Sequence, residues 1–170
     1  MNKLKFVPKT EFDRALKIRC DSIARCSLFA TLCRINTLYM ISSAGSGHLG
    51  SSFSSLDIVA WLYLNELRRS PDTTPTDIFF SSKGHDVPGL YAILIGLGLL
   101  PFYKLHTLRR LGGLPGHPDV STPHIAANSG SLGMGISKAK GMILADRLDG
   151  RDRRIFVMTG DGELQEGQIW

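Results

Sequence analysis

Cysteine is scarce in this 170-residue chain: Cys20, Cys26 and Cys33 are the three present, and no two form a Cys-x-x-Cys pair. On a helix, Cys26 and Cys33 would share a face about 10 Å apart along the axis, too far to bridge. Reduced, partly buried thiols and a reducing compartment are therefore expected. Long apolar runs are also missing. No stretch approaches the roughly 20 residues that a membrane span needs. The N-terminus has no apolar signal core, and Glu11, Asp13 and Asp21 depart from the acidic-poor composition of a transit peptide. The expectation is a cytoplasmic protein that meets no membrane. Basic runs are absent too, although Lys and Arg (20) outnumber Asp and Glu (15) for a net charge of +5. The basic residues are scattered in pairs such as Arg68-Arg69, Arg109-Arg110 and Arg153-Arg154, without interleaved aromatics, which argues against nucleic acid as a partner. Small anions such as phosphorylated metabolites suit that charge better. There is no internal repeat and no low-complexity tract.

What is present is the composition of a globular domain, with 43% hydrophobic and 21% charged residues in a length that supports one real core. Residues 1–9 read as a basic, extended lead-in. Thr10 and Asp13 resemble a capping box, and apolar residues then recur at steps of three and four through Tyr39, predicting one or two long helices. The Ser/Gly-rich stretch Ser42–Ser55 reads as loop at least in part. Ser54 and Asp57 offer a second capping box ahead of an apolar helix, Leu56–Leu67, broken by Pro71–Pro75. Asp77–Phe80 suits a buried strand. Pro88 can open a helix reaching Leu97. A shorter helix, Phe102–Leu111, ends at Gly112-Gly113, and loop follows from Leu114 to Gly130. A small-residue helix is expected from Ser131 to Leu148, closed by Gly150, then a second buried strand, Ile155–Met158. Strands separated by helices predict an α/β fold with a parallel sheet flanked by helices. In such sheets ligands gather beyond the strands' carboxyl ends, here the loops Ser81–Asp86 and Gly160–Gly167.

Gly160-Asp161-Gly162 combines a carboxylate with backbone that can approach a ligand closely. Mg²⁺ takes hard oxygen ligands, commonly one or two carboxylates plus phosphate oxygens, and amides opening the next helix can receive diphosphate charge. The bland alternative is an Asp-Gly hairpin turn, but Glu163–Gly167 does not alternate like a strand. His48, His85 and His117 each sit in a Gly-containing loop, where imidazole can bond a diphosphate, polarise a carbonyl or relay protons. His106 and His124 read as structural or simply exposed. Gly45–Gly50 matches the dinucleotide fingerprint G-x-G-x-x-G. Its context is poor, because a serine-rich stretch intervenes before the helix and the candidate acid, Glu66, falls late in that helix.

In order, GSGH (45–48), SKGHDVPGLYAIL (82–94), GHPD (116–119), SGSLGMGIS (129–137) and GDGELQEGQIW (160–170) resemble the cofactor-binding half of transketolases. The resemblance covers roughly residues 10–170 and is nearest to the amino-terminal subunits of transketolases built from two chains. It implies one thiamine-diphosphate- and Mg²⁺-binding domain, with Ca²⁺ or Mn²⁺ as possible substitutes. Asp161 would bind the metal, Gly160 would lie in the same turn, and the Gly162 amide and His85 would contact the diphosphate. Gly130 and Leu132 would touch the bridge between the cofactor's rings. His48 and His117 would line the substrate channel, and Glu166 would link cofactor sites across a dimer interface. The implied reaction moves a two-carbon ketol unit from a ketose phosphate to an aldose phosphate, as in the pentose phosphate pathway. Deoxyxylulose-phosphate synthase is the related alternative, and a nicotinamide-dependent oxidoreductase using Gly45–Gly50 the distant one. Leu49 and Met134 depart from the family's usual proline and polar residue. The family's metal-binding asparagine and its pyrimidine-binding section would lie beyond Trp170. The expected protein is thus inactive alone and completed by downstream sequence or a partner, as a homodimer or heterotetramer. A non-catalytic remnant that pairs through its apolar faces is the remaining expectation.

Overall fold

The computed structural model describes residues 4–70 and 76–170 and divides into two compact units. Pro71–Pro75, read above as a helix break, lies outside the described residues.

The first unit, Met1–Glu66 with His85–Gly116, is helical. Its helices are α1 (Lys9–Lys17), α2 (Ser22–Ala44), α3 (Leu49–Trp61) and α4 (Val87–Gly96). All ten residues of α4 are buried, as its apolar sequence VPGLYAILIG requires. Helices α2 and α3 pack against α4 and against each other. Phe12 and Phe29, both fully buried, meet edge to face at 5.5 Å. Gly96 lets them come close, since a Cβ there would lie 2.7 Å from Phe12 Cδ1. The lead-in is anchored as well as extended: Val7 donates its amide to Asn36 Oδ1 at 2.7 Å, and Asn36 Nδ2 donates back to the Val7 carbonyl at 3.1 Å.

Several local expectations give way here. The Thr10–Asp13 capping box does not form: Pro8 precedes α1 without a side-chain cap, and Asp13 pairs with Lys9. Asp21 is the working cap, accepting from the Ala24 amide at 2.8 Å and starting α2. Ser54 and Asp57 lie inside α3, so they cap nothing. Ser54 donates to the Ser51 carbonyl and Asp57 pairs with Arg34. The serine-rich loop shrinks to residues 45–48, because the α3 hydroxyls bond back to carbonyls three and four residues earlier instead of breaking the helix. Past Trp61 the helix widens into a π turn, Leu62–Glu66. Phe102–His106 is a 3-10 turn, shorter than the helix expected.

The second unit, Leu67–Gly84 with His117–Trp170, carries β1 (Ile78–Ser81), β2 (Ile155–Met158) and α5 (Met134–Leu148). The strands pair in parallel with Ile78 opposite Ile155 and Ser81 opposite Met158, so both chains leave the sheet at the same end. Gly160–Gly162 is followed by 3-10 turns and not by a returning strand, so the hairpin alternative is not what forms. Phe80, Ala127 and Ala139 form an apolar cluster with Ile78, Met142, Ile155 and Val157 packed on it. The other edge of this unit is held by charge. Asp77, with its side chain fully buried, accepts from the backbone amides and guanidinium groups of both Arg68 and Arg154 at 2.8–3.0 Å. Burial pushes its carboxyl up, but the Arg68 and Arg154 hydrogen bonds outweigh that and hold it well below the usual carboxylate range. No helix among the described residues is long and apolar enough to cross a membrane.

Candidate thiamine-diphosphate site

In the helical unit, α2 ends at Gly45, whose left-handed φ of 67° lets its amide return to the Ser42 carbonyl. The chain then turns through Gly47, where φ is 148° and a Cβ would press 2.9 Å from Ile41 Cγ1. His48 follows directly and opens α3. Its carbonyl accepts from the Ser52 hydroxyl at 2.9 Å and the Ser52 amide at 3.2 Å. Ser52 Oγ also reaches the Asp86 carbonyl at 3.3 Å, tying the His48 turn to the His85–Asp86 turn. The two imidazoles stand with ring centroids 4.9 Å apart. This unit therefore brings His48 and His85 together, His48 exposed and His85 half-buried. The Gly45–Gly50 segment lacks the strand a dinucleotide site needs ahead of its glycines, because α2 occupies that place. The helix does open at the glycines, contrary to the sequence reading; the missing strand is what removes the motif's context.

The strand-bearing unit holds His117, Gly130, Leu132, Gly160, Asp161, Gly162 and Glu166. The loop after β1 and the loop before α5 are pressed together. A Cβ on Gly84 (φ 64°) would lie 2.7 Å from the Gly130 backbone, and Ser129 Oγ donates to the Ser81 carbonyl at 2.5 Å. Gly130 in turn lies under the His117 ring, with Cδ2 2.7 Å from where its Cβ would be. Glycine is needed at both positions, by φ and by space. Leu132 is exposed beside this loop, and the Glu166 stem lies against Gly133, whose Cβ would be 3.1 Å away.

Strand β2 runs into Gly160-Asp161-Gly162. Asp161 is exposed, and among the described residues its carboxylate makes no hydrogen bond or ion pair. The Asp161 and Gly162 amides are likewise undonated there, and a Cβ on Gly162 would meet nothing within 4 Å. A hard anionic oxygen, two free amides and open space over glycine fit a metal-bound diphosphate. The expected helix after this turn is replaced by two short 3-10 turns, Glu163–Gln165 and Gly167–Ile169, so amides of the turn itself, not a helix end, are what is available.

Sequence reasoning passed over Glu163. It is 2% exposed, and its carboxylate accepts from Ser82 Oγ, from the Gly133 amide at 2.8 Å and from the Gly160 amide at 3.0 Å. The one available signal was an acidic residue directly after Gly-Asp-Gly. Cys26 and Cys33 are buried and unbridged, with burial pushing both thiols up.

Residues 27–169 match the family described as transketolase, thiamine diphosphate binding domain. The chain is 41% identical over 146 residues to the 6-deoxy-6-sulfo-D-fructose transketolase subunit SqwG of Clostridium sp. (strain MSTE9), covering 83% of this chain and 53% of that one. It is 38% identical over 135 residues to one of the subunits of the apulose-4-phosphate transketolase of Phocaeicola vulgatus, covering 77% and 48%. Against the transketolase of Mus musculus the identity is 37% over 142 residues, covering 81% of this chain and 23% of that one. The chain thus spans about half the length of the subunits it matches and about a quarter of the longer enzyme. This chain belongs to the transketolase family, and the matched residues are its thiamine-diphosphate-binding domain.

Proposed function

We propose that this chain is the diphosphate- and Mg²⁺-holding part of a transketolase that transfers a two-carbon ketol unit from a ketose phosphate to an aldose phosphate. The observation that carries the proposal is the turn after β2, where the free Asp161 carboxylate and the free Asp161 and Gly162 amides stand together. Asp161 would hold the cation, with Ca²⁺ or Mn²⁺ as substitutes, while the Gly162 amide and His85 would bond the diphosphate oxygens. Gly160 supplies the close backbone approach, and Gly130 and Leu132 would flank the cofactor's bridge. His48 and His117, both exposed imidazoles, would bond the sugar's carbonyl and hydroxyls. Thiamine diphosphate, when bound, supplies the electron sink for carbon–carbon bond cleavage; the protein groups position the sugar and hold its developing charge.

Two of the relatives are named as subunits. That supports a partner chain, or further sequence, which contributes the pyrimidine-binding section, with Glu166 near the joint between cofactor sites in a homodimer or heterotetramer. In this reading residues 1–170 act as one cofactor domain that is catalytically silent by itself. The named sugars of those relatives differ, one sulfonated and one phosphorylated. The support they share is therefore for an anionic sugar, of which the sugar phosphate proposed here is one kind, consistent with the net charge of +5. The test is calorimetric titration of the purified protein with thiamine diphosphate in the presence of Mg²⁺, and again with EDTA. Binding should require the metal and disappear in Asp161→Ala. Metal-independent binding, or binding that survives Asp161→Ala, would overturn the assignment. Ketol transfer by the assembled enzyme, in place of decarboxylative condensation, separates this reading from a deoxyxylulose-phosphate synthase.

A further inference from the structure

Glu163 is an expensive residue for its position. Taking a carboxylate out of water costs several kcal/mol unless its oxygens are satisfied, and a leucine of similar size would fill the space without that cost. Its donors are neutral: one hydroxyl and two main-chain amides, with no ion pair to Glu163 among the described residues. Each donor comes from a different segment. Ser82 lies just past β1, Gly133 is the N-cap of α5, and Gly160 opens the turn that carries Asp161. The hydroxyl extends the network, because Ser82 Oγ accepts from the Gly135 amide at 3.0 Å while donating to Glu163. Neither Ser82 nor Glu163 is a local cap, yet together they satisfy amides at the start of α5, which has no side-chain cap of its own. One oxygen, Oε1, serves Ser82 and Gly133, and the other, Oε2, serves Gly160 alone. A charge shared this way fixes the turn relative to β1 and α5 more rigidly than a four-residue strand end could alone.

We propose that Glu163 is the positioning residue of the metal and diphosphate turn, holding Gly160 so that Asp161 and the amides beside it keep one arrangement before any ligand arrives. The proposal rests on the cofactor reading above. Its test begins without ligand. In Glu163→Gln the retained oxygen can still serve Ser82 and Gly133, but an NH₂ faces the Gly160 amide. Hydrogen exchange at Gly160 should then be about ten-fold faster than in the parent. Calorimetric affinity for thiamine diphosphate in Mg²⁺ should fall by about ten-fold or more, as for other outer-shell positions. Glu163→Asp keeps the charge but loses reach, and should weaken binding similarly; it also serves as the second variant if Glu163→Gln does not fold. Asp146→Asn, which breaks pairs to Arg151 and Arg153 in the same unit, should lower the melting temperature and leave the affinity unchanged. Parent-like Gly160 exchange in the Glu163 variants, parent-like affinity in Glu163→Asp, or an equal affinity loss in Asp146→Asn would each overturn the positioning role. If Asp161→Ala binds like the parent, the cofactor reading is what fails. If Asp161→Ala abolishes binding while the Glu163 variants bind normally, only the positioning role fails.

Discussion

In the helical unit the central helix α4 is buried along its whole length and leans on Phe12, Phe29 and Leu56, all under 2% exposed. In the strand-bearing unit the two strands are four residues each and β2 has no buried residue, whereas Asp77, Asp146 and Glu163 are buried. Asp77 draws on Arg68 and Arg154, Asp146 on Arg151 and Arg153, and Glu163 on a hydroxyl and two amides. The first unit is therefore held by apolar burial, which is non-directional and does not depend on carboxylate charge. The second is held by carboxylates with defined partners, and those of Asp77 and Asp146 make it answer to pH. Rigid loop placement is what the proposed diphosphate turn would require, and the unit with the thinner apolar core is the one carrying Asp161.

The comparison breaks most readily at the core. Phe29→Ala should destabilise the helical unit by about 3–5 kcal/mol, since it empties a site fully enclosed by Phe12 and α4. Exchange protection should fall in residues of that unit; equal loss in β1 and β2 would show that the two units unfold as one. Asp77→Asn should cost about 2 kcal/mol, less than a fully buried pair because Arg68 and Arg154 are 43% and 44% exposed, and the loss should centre on β1 and β2.

A pH titration sharpens the contrast with opposite signs. Arg153 and Arg151 hold the Asp146 carboxyl below its usual range against burial, as Arg68 and Arg154 hold Asp77. Their unfolded forms bind protons first. The stability they contribute is present above the unfolded carboxyl value of about 3.9 and is lost as pH falls through the folded values. Protection in the strand-bearing unit should therefore fail first in acid. Cys33 and Cys26 are pushed up by burial, so their contribution is present below the unfolded thiol value of about 8.5 and is lost as pH rises above it. Protection around α2 should fail first in alkali. The smallest effects lie at helix starts: Asp21→Ala should cost about 1 kcal/mol, whereas Thr10→Ala, whose box is not formed, should stay within about 0.5 kcal/mol in thermal melts.

Much of this could be read along the chain. Ile155–Met158 and the apolar part of Asp77–Phe80 became strands, and Pro88 opened α4 in its first turn. Capping was misread at Thr10 and Ser54 because a Ser/Thr followed by an acid three residues on says nothing about competing partners. Lys9 claimed Asp13, and Arg34 claimed Asp57 from another helix. The serine-rich stretch, expected to be loop at least in part, is loop only at residues 45–48, because propensity ignores that Ser52 and Ser55 face a packed, buried side of α3 and return their hydroxyls to it.

Sequence alone determined the order of the Gly-containing loops, the parallel α/β class and Gly160-Asp161-Gly162 at a strand's end, since these depend on local pattern and on spacing along the chain. Tertiary structure decided which side chains hold that turn. Glu163 finds its donors 81, 30 and 3 positions away, and no local pattern encodes a buried carboxylate's partners at such separations. The worth of its hydrogen bonds comes from exclusion of water, and that exclusion exists only once β1, α5 and the turn have come together.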